Sequence, residues 1–135
     1  MAEIIAFGAS VLAFIGLADR VIHVSKCCID AVQDAPSDFR MIHGEVSSLR
    51  DIVDGLTEKE KLALLVKKNG LLEACHRCLS DLAGLLPPDP PSQGHRRLPI
   101  AELAWSLKQT KTRKLLAELS QHKATLLLVI SGDIL

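Results

Sequence analysis

The chain has 135 residues, which suits one domain with a single core and is too short for two. Its formal net charge is +0, which excludes the broad positive field that sequence-independent nucleic-acid binding requires, so we expect no nucleic-acid partner. Hydrophobic residues make up 48% of the chain but aromatic residues only 3%, so aliphatic side chains must form the core, which favours helices over sheets. We therefore predict an all-α fold, a single bundle of about four to six helices over residues 1–135.

Residues 1–32 predict one long helix with an apolar start. No charged residue occurs from Ile4 to Ala18, and apolar residues continue to Ala31 at alternating spacings of four and three. The charge-free part would be roughly 22 Å long as a helix, whereas crossing a bilayer takes about 20 apolar residues. Within it, small residues gather on one side and large residues mostly on the other, and a small-residue face lets another helix approach closely.

Three more helical segments follow before the proline-rich stretch. Pro36 suits the first turn of a helix, and Gly55 and Thr57 mark the end of that helix and the start of the next. Glu58–Lys68 predicts a short helix interrupted at Asn69 and Gly70, and the sequence leaves open whether the segment beyond is a kinked continuation or a separate helix. The expected core stripes are Phe39, Ile42, Val46, Leu49, Val53 and Leu56, then Leu72, Cys75, Leu79, Leu82 and Leu86.

Five of the six prolines lie in residues 87–99, which predicts an exposed, poorly ordered loop that serves as a connector. A last helix should begin between Pro99 and Thr110. Its apolar stripe is Leu115, Leu119, His122, Leu126 and Val129. Because the chain is still apolar at Ile134 and Leu135, we expect it to be the N-terminal part of a longer protein.

The four cysteines occur as Cys27–Cys28 and as Cys75 and Cys78. Two thiol pairs could in principle hold zinc. However, Cys28 and Cys75 fall on apolar stripes, where free cysteine behaves as a small hydrophobic residue. We therefore predict no metal site, no cofactor and reduced thiols in the cytosol. The sequence also lacks the common phosphate-loop, zinc-protease and nucleophile-elbow motifs, so we predict no catalytic residues and no enzyme activity.

Several stretches resemble the N-terminal domain of fungal NOD-like receptors, of the HeLo-like and SesA-like kind. The most specific element is the turn at Asp34, Ala35 and Pro36 followed by Glu45-Val46-Ser47-Ser48-Leu49; the neighbouring residues 27–40 and the segment 114–126 are also similar. The resemblance covers most of the chain. It implies a helical bundle ahead of a downstream nucleotide-binding module in the same parent chain.

The resemblance also implies a function. Receptor assembly would cause the bundle to self-associate and trigger cell death, in HeLo-type members by moving from the cytoplasm to the plasma membrane and disrupting it. Under this interpretation the first helix inserts in the membrane. The predicted insertion residues are Ile4, Ile5, Phe7, Val11, Leu12, Phe14 and Ile15, and the predicted helix-packing and oligomerisation residues are Ala6, Ala9, Ala13 and Gly16.

Two alternatives stay open. The first helix could be a central core helix that other helices surround, in which case the chain is a signalling or adaptor domain that does not enter the membrane. A basic cluster of Lys108, Lys111, Arg113 and Lys114 is predicted to bind anionic phospholipid. Its alternative interpretation is an ordinary solvated helix face.

Overall fold

A computed structural model of the chain describes the backbone of residues 2–33, 35–68, 70–87, 98–99 and 105–132, and the side chains of these residues except 2–6, 33, 98 and 99. Over this part of the chain there are five helices, α1 (Ala2–Ala31), α2 (Ser37–Asp54), α3 (Glu58–Lys67), α4 (Leu71–Leu85) and α5 (Trp105–Ser131), and two short strands, β1 (Val32–Gln33) and β2 (Leu98–Pro99). The predicted all-α bundle with a long apolar N-terminal helix is confirmed.

The helices pack around one aliphatic core. α1 lies mainly along α2 and also contacts α4 and α3, while α5 packs against α4, α2 and α3. The predicted stripes of α2 and α4 are buried along their whole length. On α5 the four apolar residues of the stripe are buried and His122 is half-buried. The core is therefore built from the spacing of apolar residues that the sequence shows.

The helix boundaries follow from local hydrogen bonding. Thr57 caps α3, because its Oγ1 accepts a hydrogen bond from the Glu60 backbone N–H at 3.1 Å, while Glu60 Oε1 accepts one from the Thr57 N–H at 2.8 Å. α3 ends at Lys67 and α4 begins at Leu71, so they are two separate helices. α5 ends at Ser131, and the next residue, Gly132, has a positive φ of 82°, which suits glycine.

The structure contains one short pairing that the sequence did not indicate. β1, directly after α1, pairs in parallel with β2 at the end of the proline-rich stretch, with Val32 opposite Leu98 and Gln33 opposite Pro99. The reason is that the chain leaving α1 and the chain approaching α5 run side by side, and backbone groups there pair with each other. Residues 88–97 lie outside the described part of the chain.

The packing of α1 can be tested with two neighbouring substitutions. Phe14 is fully buried, whereas Leu12 is 73% exposed. Phe14→Ala should lower the free energy of unfolding by about 3 to 5 kcal/mol, because it removes a large side chain and leaves a cavity. The control Leu12→Ala should change it by no more than about 0.5 kcal/mol. Chemical denaturation followed by Trp105 fluorescence measures both, and equal effects would show that α1 is not docked in solution as described.

Candidate functional site

The apolar first half of α1 has one buried face. Phe7, Val11, Phe14 and Ala18 belong to the core, with at most 8% of any of these residues exposed. They come from three consecutive turns of the helix and point towards the other helices. The side chains of the predicted residues Ile4, Ile5 and Ala6 lie outside the described part of the structure.

The opposite face of this segment points to solvent. Leu12 is 73% exposed, Ala9, Ala13 and Gly16 are exposed, and Ile15 is half-buried. The predicted insertion residues are thus divided between the core and the surface, whereas the described small residues share the solvent side. Within the described residues, α1 is not the fully surrounded central helix of the alternative interpretation.

By length and composition, α1 is the one helix in the described part of the chain that could cross a membrane, over the 25 residues Phe7–Ala31. Only 33% of its most apolar window is buried in the bundle. The predicted helix also continued to residue 32, but its length was compared with a bilayer over the charge-free part that ends at Ala18, whereas this 25-residue span also contains Asp19 and Arg20. A core helix of a soluble protein can have the same length and composition, so exposure of the apolar face is the more informative observation.

The glycines on α1 have no role in packing the bundle. A methyl group added at Gly8 or Gly16 would meet no atom within 4 Å. Glycine inside a helix is destabilising by roughly 0.5 to 1 kcal/mol relative to alanine. The bundle described here therefore gives no steric reason for residues this small at the two positions.

Two clefts flank the start of α1 and share Phe7 in their walls. One, of about 410 Å³, lies between α1 and α4 and is lined by Ser10, Ala13, Leu72, Glu73 and His76 in addition to Phe7. The other, of about 310 Å³, lies between α1 and α3 and is lined by Gly8, Glu58, Lys61, Leu62 and Leu65 in addition to Phe7. The N-terminal half of α1 is therefore set between two helices that leave open space beside it.

A buried carboxylate joins the start of α2 to the start of α5. Asp38 is 1% exposed and accepts hydrogen bonds from Trp105 Nε1 at 3.1 Å, from Gln109 Nε2 at 3.0 Å and from Arg113 Nε at 3.2 Å. The Trp105 ring also packs on Phe39, with centroids 4.5 Å apart. This cluster was not predicted from the sequence. The three donors are four residues apart and so lie on one helix face, but their acceptor is far away in the chain, and no local pattern identifies it.

The cluster keeps Asp38 ionised. Burial of the carboxylate would raise the pKa of Asp38, but the hydrogen bonds from Gln109, Trp105 and Arg113, together with the charge of Arg113, outweigh it and lower the pKa. Because a buried charge needs partners, the hydrogen bonds from these donors offset the cost of burying the carboxylate. Its chemistry is that of a structural anchor.

The predicted basic cluster on α5 is divided by this anchor. Arg113 pairs with Asp38, whereas Lys111 and Lys114 are exposed and Lys108 is half-buried. Arg113 keeps 60% of its side chain exposed, so its outer surface still contributes to the positive face. The structure therefore brings the four residues to one helix end but gives one of them an internal partner that the sequence did not reveal. Lipid binding by the cluster stays a prediction.

The cysteines are free thiols that lie mostly in the core. Cys28, Cys75 and Cys78 are buried and Cys27 is half-buried, and all four are free. The Cys78 thiol donates a hydrogen bond to the Leu115 carbonyl at 3.2 Å, which links α4 to α5. Burial raises the pKa of Cys75 to about 12, and burial with the nearby charges of Glu118 and Asp81 raises that of Cys78 to about 11. In the folded chain these two thiols are unreactive packing groups.

Comparison of the chain with known protein families, with curated proteins and with solved structures found no match.

Removal of the Asp38 charge tests the anchor. Asp38→Asn should destabilise the fold by about 1.5 to 3 kcal/mol, the range for hydrogen bonds to charged groups, and should change Trp105 fluorescence because the indole loses its charged acceptor. Arg113→Gln should have a smaller effect, because Trp105 and Gln109 still satisfy the carboxylate. Thermal melts with fluorescence detection measure both, and a larger loss for Arg113→Gln would contradict this order.

The lowered pKa of Asp38 predicts that the stability of the fold depends on pH. The folded pKa of Asp38 is lowered, whereas an unfolded aspartate titrates at about 3.9. Its stabilisation is therefore complete above about pH 4 and is lost as the pH falls through the lower, folded value. The difference in stability between the original chain and Asp38→Asn should stay constant from neutral pH to about pH 4 and narrow below it. A difference that narrows already near neutral pH would contradict the assignment.

Thiol reactivity tests the burial of the cysteines. At mildly alkaline pH, iodoacetamide should alkylate Cys27 first and Cys28, Cys75 and Cys78 slowly, because burial limits access and the raised pKa values of Cys75 and Cys78 leave little thiolate. Mass spectrometry over time measures this, and Cys27→Ser should remove the fast phase. Fast labelling of Cys75 in folded protein would show that the core face of α4 opens.

Proposed function

We propose that the chain is the cell-death effector domain of a fungal NOD-like receptor, of the HeLo-like kind. It acts by self-association and then by associating with the anionic plasma membrane and permeabilising it through α1. A downstream nucleotide-binding module in the parent chain would bring the copies together, and the resting domain would be cytoplasmic. The sequence resemblance supports the family, and the exposed apolar face of a membrane-length helix is the observation that carries the mechanism.

The exposed face of α1 supports self-association. Gly8 and Gly16 have open space where a side chain would be, and Ala9 and Ala13 are exposed between them. Small residues allow helix backbones to approach closely, which is how helices associate in membranes. A neighbouring copy of α1 would give these residues the contact that the single bundle does not provide.

The energetics of insertion depend on the buried face. Removal of Phe7, Val11 and Phe14 from the core exposes side chains worth about 1.5 to 3 kcal/mol each, and lipid restores a similar amount because it is equally apolar. Asp19 and Arg20 limit the inserted part, since a charge at the bilayer centre costs roughly 2.5 to 3.5 kcal/mol. An insert that ends near Ala18 is short, so several copies or a locally thinned bilayer would be needed.

The second candidate is an adaptor domain that keeps α1 in the bundle. It is favoured by the contacts that hold α1 in place, namely the buried Phe14 and Ala18 and the ion pair between Arg50 Nε and Asp19 Oδ1 at 3.0 Å. In that case the exposed face of α1 would bind another helical domain. The ion pair is exposed to solvent and contributes little to stability, so the buried side chains carry this argument.

Leu12 allows the two candidates to be separated without unfolding the bundle. Leu12→Glu should keep the helicity and melting temperature, because the side chain is 73% exposed. It should reduce dye leakage from anionic liposomes by about tenfold or more, since the insertion cost of the charge exceeds the 1.4 kcal/mol that corresponds to tenfold. Leakage is measured on protein fused to an inducible oligomerisation module. Leu107→Glu, at an 85% exposed position on α5, is the matched control.

Substitutions at the buried positions complete the test. Phe7→Glu and Val11→Glu should release the first half of α1 from the core and lower the melting temperature, because an unpaired charge is costly to bury. If the original chain causes no leakage when self-association is forced, the membrane function is wrong and the adaptor function becomes the better proposal. If Leu12→Glu leaks as much as the original chain, α1 is not the inserting element.

A further inference from the structure

α3 is a short helix that exposes aliphatic side chains. Within α3, all of which the structure describes, Leu64 is the one buried residue. Leu62 is 51% exposed and Val66 is 74% exposed. They are four residues apart and therefore adjacent on the same face of the helix. The helix thus exposes Leu62 and Val66 to solvent, while Leu64 on the opposite face makes its contact with the core.

Lysines surround this pair. Lys59 is exposed and lies on the same face at a spacing of three from Leu62, and Lys67 and Lys68 are exposed at the C-terminal end. Among the residues that the structure describes, none of these three lysines has an ion-pair partner. The two glutamates of the helix are otherwise engaged, because Glu58 pairs with Lys61 at 3.4 Å and Glu60 forms the cap with Thr57. The face therefore has a net positive charge.

We propose that this α3 surface, made of Lys59, Leu62, Val66, Lys67 and Lys68, docks the folded bundle on an anionic membrane. Aliphatic side chains bordered by lysines match a surface that has an apolar interior and negative headgroups. Charge argues against a second copy of the chain as the occupant. A twofold interface through this patch would place its lysines against the same lysines of the other copy.

The position of α3 connects docking to α1. The α3 residues Leu62 and Leu65 line the cleft that α1 closes with Phe7 and Gly8. A membrane bound to the α3 surface therefore lies beside the N-terminal half of α1, the segment that the proposed function assigns to insertion. This step rests on the proposed function, whereas docking of the folded bundle through α3 does not require insertion.

The α3 surface is separate from the basic cluster on α5. α3 packs near the C-terminal end of α5, where Thr57 and Lys67 share a cleft with Val129 and Gly132. Lys111 is eighteen residues before Val129 on the same helix, which corresponds to about 27 Å along its axis. Substitutions at one basic surface therefore leave the other intact.

Vesicle co-sedimentation of the whole chain tests the proposal. The vesicles contain equal amounts of phosphatidylcholine and phosphatidylserine, with phosphatidylcholine alone as the comparison. The double variants Leu62→Ser/Val66→Ser and Lys67→Glu/Lys68→Glu should each bind the anionic vesicles at least about tenfold more weakly. The first loses the apolar contact with the membrane. The second loses two lysines, each of which contributes about fivefold near such a surface. Both should keep the original helicity and melting temperature, because the substituted side chains are exposed.

Leu107→Ser on α5 and Arg40→Glu/Arg77→Glu at exposed positions of α2 and α4 are matched controls outside both basic surfaces, and they should bind as the original chain does. The proposal is overturned if the original chain does not bind the anionic vesicles, if it binds phosphatidylcholine alone equally well, or if either α3 double variant retains full binding. Binding through α3 without leakage under forced self-association would support this docking surface and reject the proposed function. If the original chain causes leakage and the α3 double variants cause as much, the proposed function is supported and the α3 docking surface is rejected.

Discussion

The structure is dominated by one feature: α1 has more apolar surface than the other helices cover. The first half of α1 is apolar on nearly all sides, yet the other helices cover only the stripe of Phe7, Val11, Phe14 and Ala18. The helices that the structure describes enclose one core, and α1 has α2 and α4 as its main neighbours. The uncovered apolar surface, including Leu12, is the property that any function of this domain must explain.

The hydrogen bonds of Asp38 fix the start of α5 against the start of α2. The start of α5 follows a long proline-rich stretch, and loop length alone would leave its position poorly determined. A carboxylate that is buried and shared by Trp105, Gln109 and Arg113 sets both the register and the rotation of α5 against α2. The Cys78 hydrogen bond to the Leu115 carbonyl adds a second fixed point between α4 and α5. The bundle can therefore keep α2, α4 and α5 in place independently of the apolar start of α1.

The apolar stripes and the helix ends could be predicted from the sequence, whereas the contacts between distant segments could not. Apolar spacing identified the stripes of α2 and α4, and Pro36, Thr57 and Gly55 marked helix ends, because these signals are local. The contact of Asp38 with Arg113 joins residues far apart in the chain, so no single segment indicated it. The pairing of Val32 with Leu98 escaped for the same reason. The two faces of α1 were distinguished by size, but which of them the bundle covers depends on the packing of all the helices.

The distribution of contacts along α1 limits what can move. Beyond Asp19 the helix is amphipathic, and Val21, Val24, Cys28 and Ala31 are buried before the chain pairs with β2 through Val32. Release of the whole helix would break this larger set of contacts, whereas release of the front half loses chiefly Phe7, Val11 and Phe14. Gly16 lies close to that boundary, where a Cβ would meet no neighbour and where helix propensity is lowest. If the proposed membrane-active state keeps α2, α4 and α5 assembled, bending of α1 near Gly16 with its second half still docked breaks the smallest set of these contacts.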